Sequence, residues 1–168
     1  MTTEVTTGAT TGTRWLDGDQ QRAWRAYLVG TTLLTDRLDR DLRERHGLSM
    51  PEYEILVRLS ETPGRRMRMA ELAGAVSHSR SRITHTVARL ERDGLVQRTA
   101  CLSDGRGVEA VLTDTGFARL EAAAHTHVEG VRRYLVDLAS EEDFAAVGRV
   151  FDAVADHLIE GNPAADIR

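Results

Sequence analysis

The residues best suited to chemistry lie in one run, Ser79-Arg80-Ser81-Arg82-Ile83-Thr84-His85-Thr86-Val87-Ala88-Arg89-Leu90-Glu91-Arg92, and in a second, Ser103-Asp104-Gly105-Arg106-Gly107. With Ile83, Val87 and Leu90 as the buried face of a helix, about 100° per residue turns Ser81, His85, Ala88 and Arg92 outward. Arg82 and Arg89 then fall on one flank, Thr84 on the other, and Ser79 and Arg80 at the N-terminal turn. Arginine reads guanine O6 and N7 in the major groove. Serine, threonine and histidine offer adaptable hydrogen bonds, and a small alanine allows close approach. The second run places one arginine between two glycines, flanked by the apolar runs 95–99 and 108–113, which suit the strands of a hairpin. An arginine on such a tip suits a narrow minor groove, where negative potential concentrates. Asp104 is placed to orient that guanidinium or to pair with Arg98.

Elements that position these residues can be read along the chain. Residues 15–46 contain no proline, and Trp24, Leu28, Leu34, Leu38 and Leu42 recur near helical spacing. Gly47 ends that helix, and Ser49 with Pro51 starts the next as N-cap and first-turn proline. Tyr53, Leu56 and Leu59 face inward until Pro63-Gly64 breaks the pattern. Residues 69–76 form a short helix with Met69, Leu72, Ala73 and Val76 inward. The basic helix over 80–92 follows, ended by Asp93-Gly94, and then the hairpin. Asp114 or Thr115 caps a long helix to about Leu138, striped by Phe117, Leu120, Ala124, Val128, Val131, Leu135 and Leu138. Ser140 to Asp143 is a capping-box-like start for a last helix striped by Phe144, Val147, Phe151, Val154 and Leu158. Two helices joined by about three residues form a helix-turn-helix, and a hairpin directly after them is a wing.

The expected fold class is therefore mostly α with a small β-hairpin wing (α+β): a winged helix-turn-helix plus a helical dimerisation region. The expected organisation is a disordered tail over 1–14, an N-terminal dimerisation helix over 15–48, the winged helix-turn-helix over 49–113, C-terminal dimerisation helices over 114–161 and a tail over 162–168. Trp24, Leu28, Val128, Val131, Leu135, Phe151, Val154 and Leu158 lie on apolar stripes too broad for a monomer core and are the expected interface of a homodimer.

Charge supports a polyanionic partner. All 22 basic residues are arginine and the net charge is −4. Residues 63–107 nevertheless hold nine arginines and four acids, a local +5 inside a remainder of −9. A single cysteine, Cys101, excludes an internal disulfide framework and reads as a small strand residue. No stretch approaches the roughly 18 apolar residues of a membrane span, and the polar start has no secretory h-region. No membrane partner is expected, and the location expected is cytoplasmic. His125 and His127 are two apart, so on a helix they diverge. His46, His78, His85 and His157 are scattered. No metal site and no cofactor are assigned. No Ser-His-Asp set, paired carboxylates or phosphate-cradling glycine loop is legible, so no enzyme is expected.

These residues resemble the MarR family of winged-helix transcription factors over about residues 15–160. The most specific piece is Leu90-Glu91-Arg92-Asp93-Gly94-Leu95-Val96-Gln97-Arg98, followed by a wing similar to the family's D-x-R-x(5)-L-T signature, with Asp104, Arg106, Leu112 and Thr113 in place. His46-Gly47-Leu48, Tyr53 to Leu56 and Met69 to Ala73 also resemble family segments. His85 stands where many members carry arginine, so the family's base preference does not carry over to this position, and an imidazole sits on the reading face. The resemblance implies an obligate homodimer with interlocked terminal helices, a pseudo-palindromic operator in double-stranded DNA, and a small-molecule effector pocket between the dimerisation helices and the winged helix. The function expected is a sequence-specific, ligand-responsive repressor. The alternative is a metal or small-molecule sensor whose DNA binding is conditional.

Overall fold

The computed structural model describes residues 12–76, 80–101 and 107–160, with the main chain alone for Arg80. Helix α1 runs Gly18–His46, α2 Met50–Glu61, α3 Met69–Ala75, α4 Arg80–Arg92, α5 Asp114–Tyr134 and α6 Glu141–Ile159. The strands are β1 Arg66–Arg68, β2 Val96–Ala100 and β3 Val108–Leu112, with single 3-10 turns at Pro63–Arg65 and Val136–Leu138. Residues 1–11 of the expected N-terminal tail and all of the expected C-terminal tail, 162–168, lie outside the described residues; 12–17 form no regular element. The chain divides into two units, Met1–Leu33 and Leu34–Arg168, so the second half of α1 belongs with the winged helix.

Local chemistry explains the helix starts. Ser49, extended at φ −76° and ψ 159°, precedes α2, and Pro51 sits in the first turn. Glu52 returns its carboxylate to Ser49, accepting the main-chain N–H at 2.8 Å and the Oγ–H at 2.6 Å. Thr113, not Asp114 or Thr115, caps α5: its Oγ1 accepts from Gly116 N at 2.9 Å. The threonine wins because its hydroxyl also donates to the Gly94 carbonyl at 2.8 Å, tying the helix start to the end of α4. Ser140 caps α6 through Asp143 N.

The expected hairpin is present but is two-thirds of a sheet. β3 lies in the centre, pairing antiparallel with β2 from Val96 opposite Leu112 to Ala100 opposite Val108. On its other edge it pairs with β1, Arg66 opposite Val111 to Arg68 opposite Glu109. Three residues rich in arginine carry no strand period of their own, so β1 forms only because β3 offers an open edge.

The core joins α2, α3, α4, the sheet, the end of α1 and the start of α5, around Leu42, Ile55, Leu56, Leu59, Leu72, Ile83, Val87, Leu90, Val96 and Ala110. Two features of α5 depart from expectation. It ends at Tyr134 instead of near Leu138, and its buried face is Gly116, Leu120, Ala123, Thr126 and Gly130. That face lies one step around from the apolar stripe. Gly116 packs so closely on the Leu95 carbonyl and Leu112 that a Cβ would collide with both, and this close approach sets the rotation of α5. Val128 and Leu138 are consequently exposed.

Candidate nucleic-acid interface

Helix α4 buries Ile83, Val87 and Leu90 and turns Ser81, Arg82, Thr84, His85, Arg89 and Arg92 outward, as the spacing predicts. Ala88 is half-buried and Thr86 is buried, its hydroxyl bonded back to the Arg82 carbonyl at 2.9 Å. Ser79, Asp104 and Arg106 lie outside the described residues, as does the side chain of Arg80. The chain reaches the wing at Cys101, whose N–H donates to the Gly107 carbonyl at 2.9 Å and continues the β2–β3 ladder. Cys101 is buried, with its Sγ 3.3 Å from Glu109 Oε1.

Two carboxylates fix how α4 is presented. On one side Arg89 Nε donates to Glu52 Oε1 at 2.9 Å, joining the reading helix to the start of α2. Glu52 is 6% exposed and has both oxygens engaged. On the other side Glu91 accepts the Arg98 main-chain N–H at 3.0 Å and the Arg98 guanidinium at 2.7 Å, joining α4 to β2. These hydrogen bonds from Arg98 hold the Glu91 carboxyl below the usual range. Arg98 thus ties β2 to α4 through Glu91, a partner the sequence reading did not assign. Arg92 lies 3.5 Å from Asp93. Glu52 and Glu91 were both missed as site residues. The signal for Glu52 was its place three residues after Ser49; nothing local marks its bond to a residue 37 positions away.

A third carboxylate continues the array. Asp39 accepts Arg43 Nε at 2.6 Å and the Met50 N–H at 2.7 Å. Burial raises the Asp39 carboxyl, but those hydrogen bonds outweigh it and hold the group below its ordinary value. The end of α1, the start of α2 and α4 are therefore linked by charge-assisted hydrogen bonds.

Of the expected dimer residues, Trp24 and Leu28 in the first unit are exposed, and so in the second are Val128, Phe151, Val154 and Leu158. Val131 and Leu135 are half-buried. At the junction of α1 and α5, Asp41, Arg45, Thr126, Glu129, Arg133 and Tyr134 line a cavity of about 40 Å³, water-sized. Arg37 reaches both Asp41 and the Tyr134 hydroxyl beside it. Among the described residues no three His, Cys, Asp or Glu side chains converge as metal ligands, and no helix is long and apolar enough to cross a membrane.

Comparison with known proteins agrees with this architecture. The MarR family model matches residues 48–108, from the start of α2 to the start of β3. The chain is 31% identical over 131 residues to the HTH-type transcriptional regulator PecS of Dickeya dadantii, covering 73% of this chain and 79% of the relative. Among solved structures it is similar to AbsC, a MarR family regulator of Streptomyces coelicolor, with 45% identity and a TM-score of 0.81 over 87% of this chain and 98% of the other. A second MarR family regulator from that organism, solved in complex with DNA, matches at 42% identity and a TM-score of 0.83, over 89% of this chain and 93% of the other. From its winged helix, its exposed arginine-rich reading helix and these similarities over most of its length, the chain belongs to the MarR family of DNA-binding transcriptional regulators.

Proposed function

We propose that the protein is a ligand-responsive repressor that binds a pseudo-palindromic operator as a homodimer, one winged helix per half-site. The observation that carries this reading is the outward face of α4, polar and basic along its length and held between Glu52 and Glu91. Ser81, Arg82, Thr84 and His85 are assigned to base edges in the major groove, with Ser79 at the entry to the helix. Arg80, Arg89 and Arg92 are assigned to phosphates, and Arg106 to the minor groove beside the wing, with Asp104 orienting it. A second copy is assigned to the exposed apolar face of α6 and, separately, to that of the first half of α1, since large apolar residues recurring along an exposed helix face mark an interaction surface. Two-fold symmetry then sets the reading helices about one DNA turn apart. The solved relative in complex with DNA supports the assignment of the partner, and names of relatives such as the repressor YetL of Bacillus subtilis support the sign of regulation.

The test is selection from randomised duplexes at physiological salt with purified protein. A palindromic motif with half-sites about one helical turn apart is the expected result. Weak, salt-sensitive binding without sequence preference, together with tight binding of a metal or small molecule, would establish the sensor reading instead.

A further inference from the structure

The outward face of α4 does not end in open solvent on the side nearest α2. Arg43 from the last turn of α1, Ser49 at the start of α2, and Arg82, His85, Thr86 and Arg89 from α4 line one cleft of about 420 Å³. Its two flanking arginines are built alike. Behind Arg89 stands Glu52, with 9% of its side chain exposed against 48% for the arginine. Behind Arg43 stands Asp39, with 28% against 55%. Each carboxylate is also tied inward to main chain at the start of α2, Glu52 to Ser49 N and Asp39 to Met50 N. The carboxylates are therefore engaged on the protein side, while the two arginine side chains, which line the cleft, keep about half their surface exposed. A guanidinium has five N–H donors in a planar fork, so one bond to an internal carboxylate leaves an edge for a second oxyanion. Internal pairing also holds each long side chain in place before a ligand arrives, which lowers the entropic cost of using it.

We propose that this cleft seats a backbone phosphate of bound DNA between Arg43 and Arg89, so that the DNA-contacting surface extends past the winged helix to the end of α1. The proposal rests on the DNA-reading role of α4. Continuity favours DNA as the source of the oxyanion: Arg82 and His85 line the cleft and also belong to the reading face. Arg43 then has a use that its position outside the helix-turn-helix does not announce, because it anchors register without reading sequence.

The test is operator affinity against salt for wild type, Arg43→Gln and Arg43→Lys, with Arg82→Ala and His85→Ala alongside, on duplexes from the selection. Arg43→Gln is expected to lower the slope of log K against log salt by about 0.9 per protomer and to weaken binding about fivefold per protomer near 0.15 M salt, equally on all duplexes. Arg43→Lys keeps the charge and is expected to restore the slope. An unchanged slope in Arg43→Gln, or failure of lysine to restore it, overturns the phosphate seat. If Arg82→Ala and His85→Ala also leave binding and preference unchanged, the DNA-reading role of α4 fails with it; if they change preference and only Arg43 is silent, the cleft alone fails. Inorganic phosphate at constant ionic strength is the last arm. Arg43-dependent displacement of DNA from wild type is expected, since both oxyanions would compete for one seat. Phosphate that binds wild type but not Arg43→Gln and leaves operator affinity unchanged would assign the cleft to a free oxyanion and overturn its assignment to DNA.

Discussion

The winged-helix core and helix α6 are written in the same periodic pattern and end in opposite places. In the core, Leu42, Ile55, Leu56, Leu59, Leu72 and Val87 have no exposed surface. In α6 no residue is buried, and Phe144, Val147, Phe151, Val154 and Leu158 lie 38–67% exposed along one stripe. An apolar face every 3.6 residues states that something will cover it; it does not state whether the cover comes from the same chain. The core elements find theirs within about 80 residues of sequence. α6 finds none among the described residues of its own unit, which is why a second copy is assigned there.

The largest effect should come from breaking the uncovered side. Phe151→Asp combined with Val154→Asp places two carboxylates in the proposed interface, where an unpaired charge cannot be solvated. Sedimentation should show a monomer, and operator affinity should fall about 10²- to 10⁴-fold, the loss expected when two linked binding events become separate ones. The winged helix should keep its helical signal. A variant that stays dimeric with full affinity would show that α6 is covered by something else.

Breaking the covered side should cost folding instead of assembly. Leu56→Ala removes a fully buried side chain and should destabilise by about 2–5 kcal/mol. The comparison sharpens if Tm is followed against protein concentration. The Leu56→Ala loss should persist at every concentration, whereas Leu158→Ala should lower Tm mainly at low concentration, where dimer stability matters. Equal concentration dependence in both would remove the distinction between the two regions.

How much of this was legible in the sequence follows the same division. The inward sets of α2, α3 and α4 could be read because their partners lie nearby and alternate cleanly with charge. Ser49 and Pro51 could be read because caps act within one turn. β1 was not legible, since Arg66-Met67-Arg68 takes its conformation from β3, more than 40 residues later. The rotation of α5 was misread by one step because it is set by Gly116 against the Leu95 carbonyl, a close approach that hydrophobicity does not encode. Of the candidate site, the outward set Ser81, Arg82, Thr84, His85, Arg89 and Arg92 was legible, whereas Ala88, expected outward, is half-buried. The Glu52, Glu91 and Asp39 carboxylates behind that set were not legible, because each is a tertiary partner chosen by the fold.

A smaller effect tests whether those carboxylates position the reading face. Glu52→Gln keeps the shape but removes the charge from a buried, fully engaged group, and should cost about 1–3 kcal/mol. Preference among related duplexes should loosen along with it, as Arg89 loses its anchor. Stability loss with an unchanged selected motif would reduce Glu52 to a helix cap.

The smallest expected effect is a dependence on pH within the covered region. His127 on α5 packs against Tyr53 of α2 with ring centroids 4.8 Å apart and the rings tilted by 36°, and its Nδ1 is buried without a hydrogen-bond partner. Burial lowers its pKa and raises that of Tyr53. His46, bonded to Thr126 at 2.7 Å, is lowered as well, first by burial and then by the charges of Arg119 and Arg45. A lowered pKa means the folded chain prefers the neutral ring, while the unfolded chain takes up a proton near the ordinary value of about 6.5. Full stability is therefore present above about pH 6.5 and drains away as pH falls through that value toward the lower folded pKa. His127→Phe keeps an aromatic ring against Tyr53 and removes the titration. Denaturant midpoints at pH 7.5 and 5.5 should differ less in this variant than in wild type. If the two differences are equal, protonation of His127 does not oppose folding, and the ring tolerates charge where it sits.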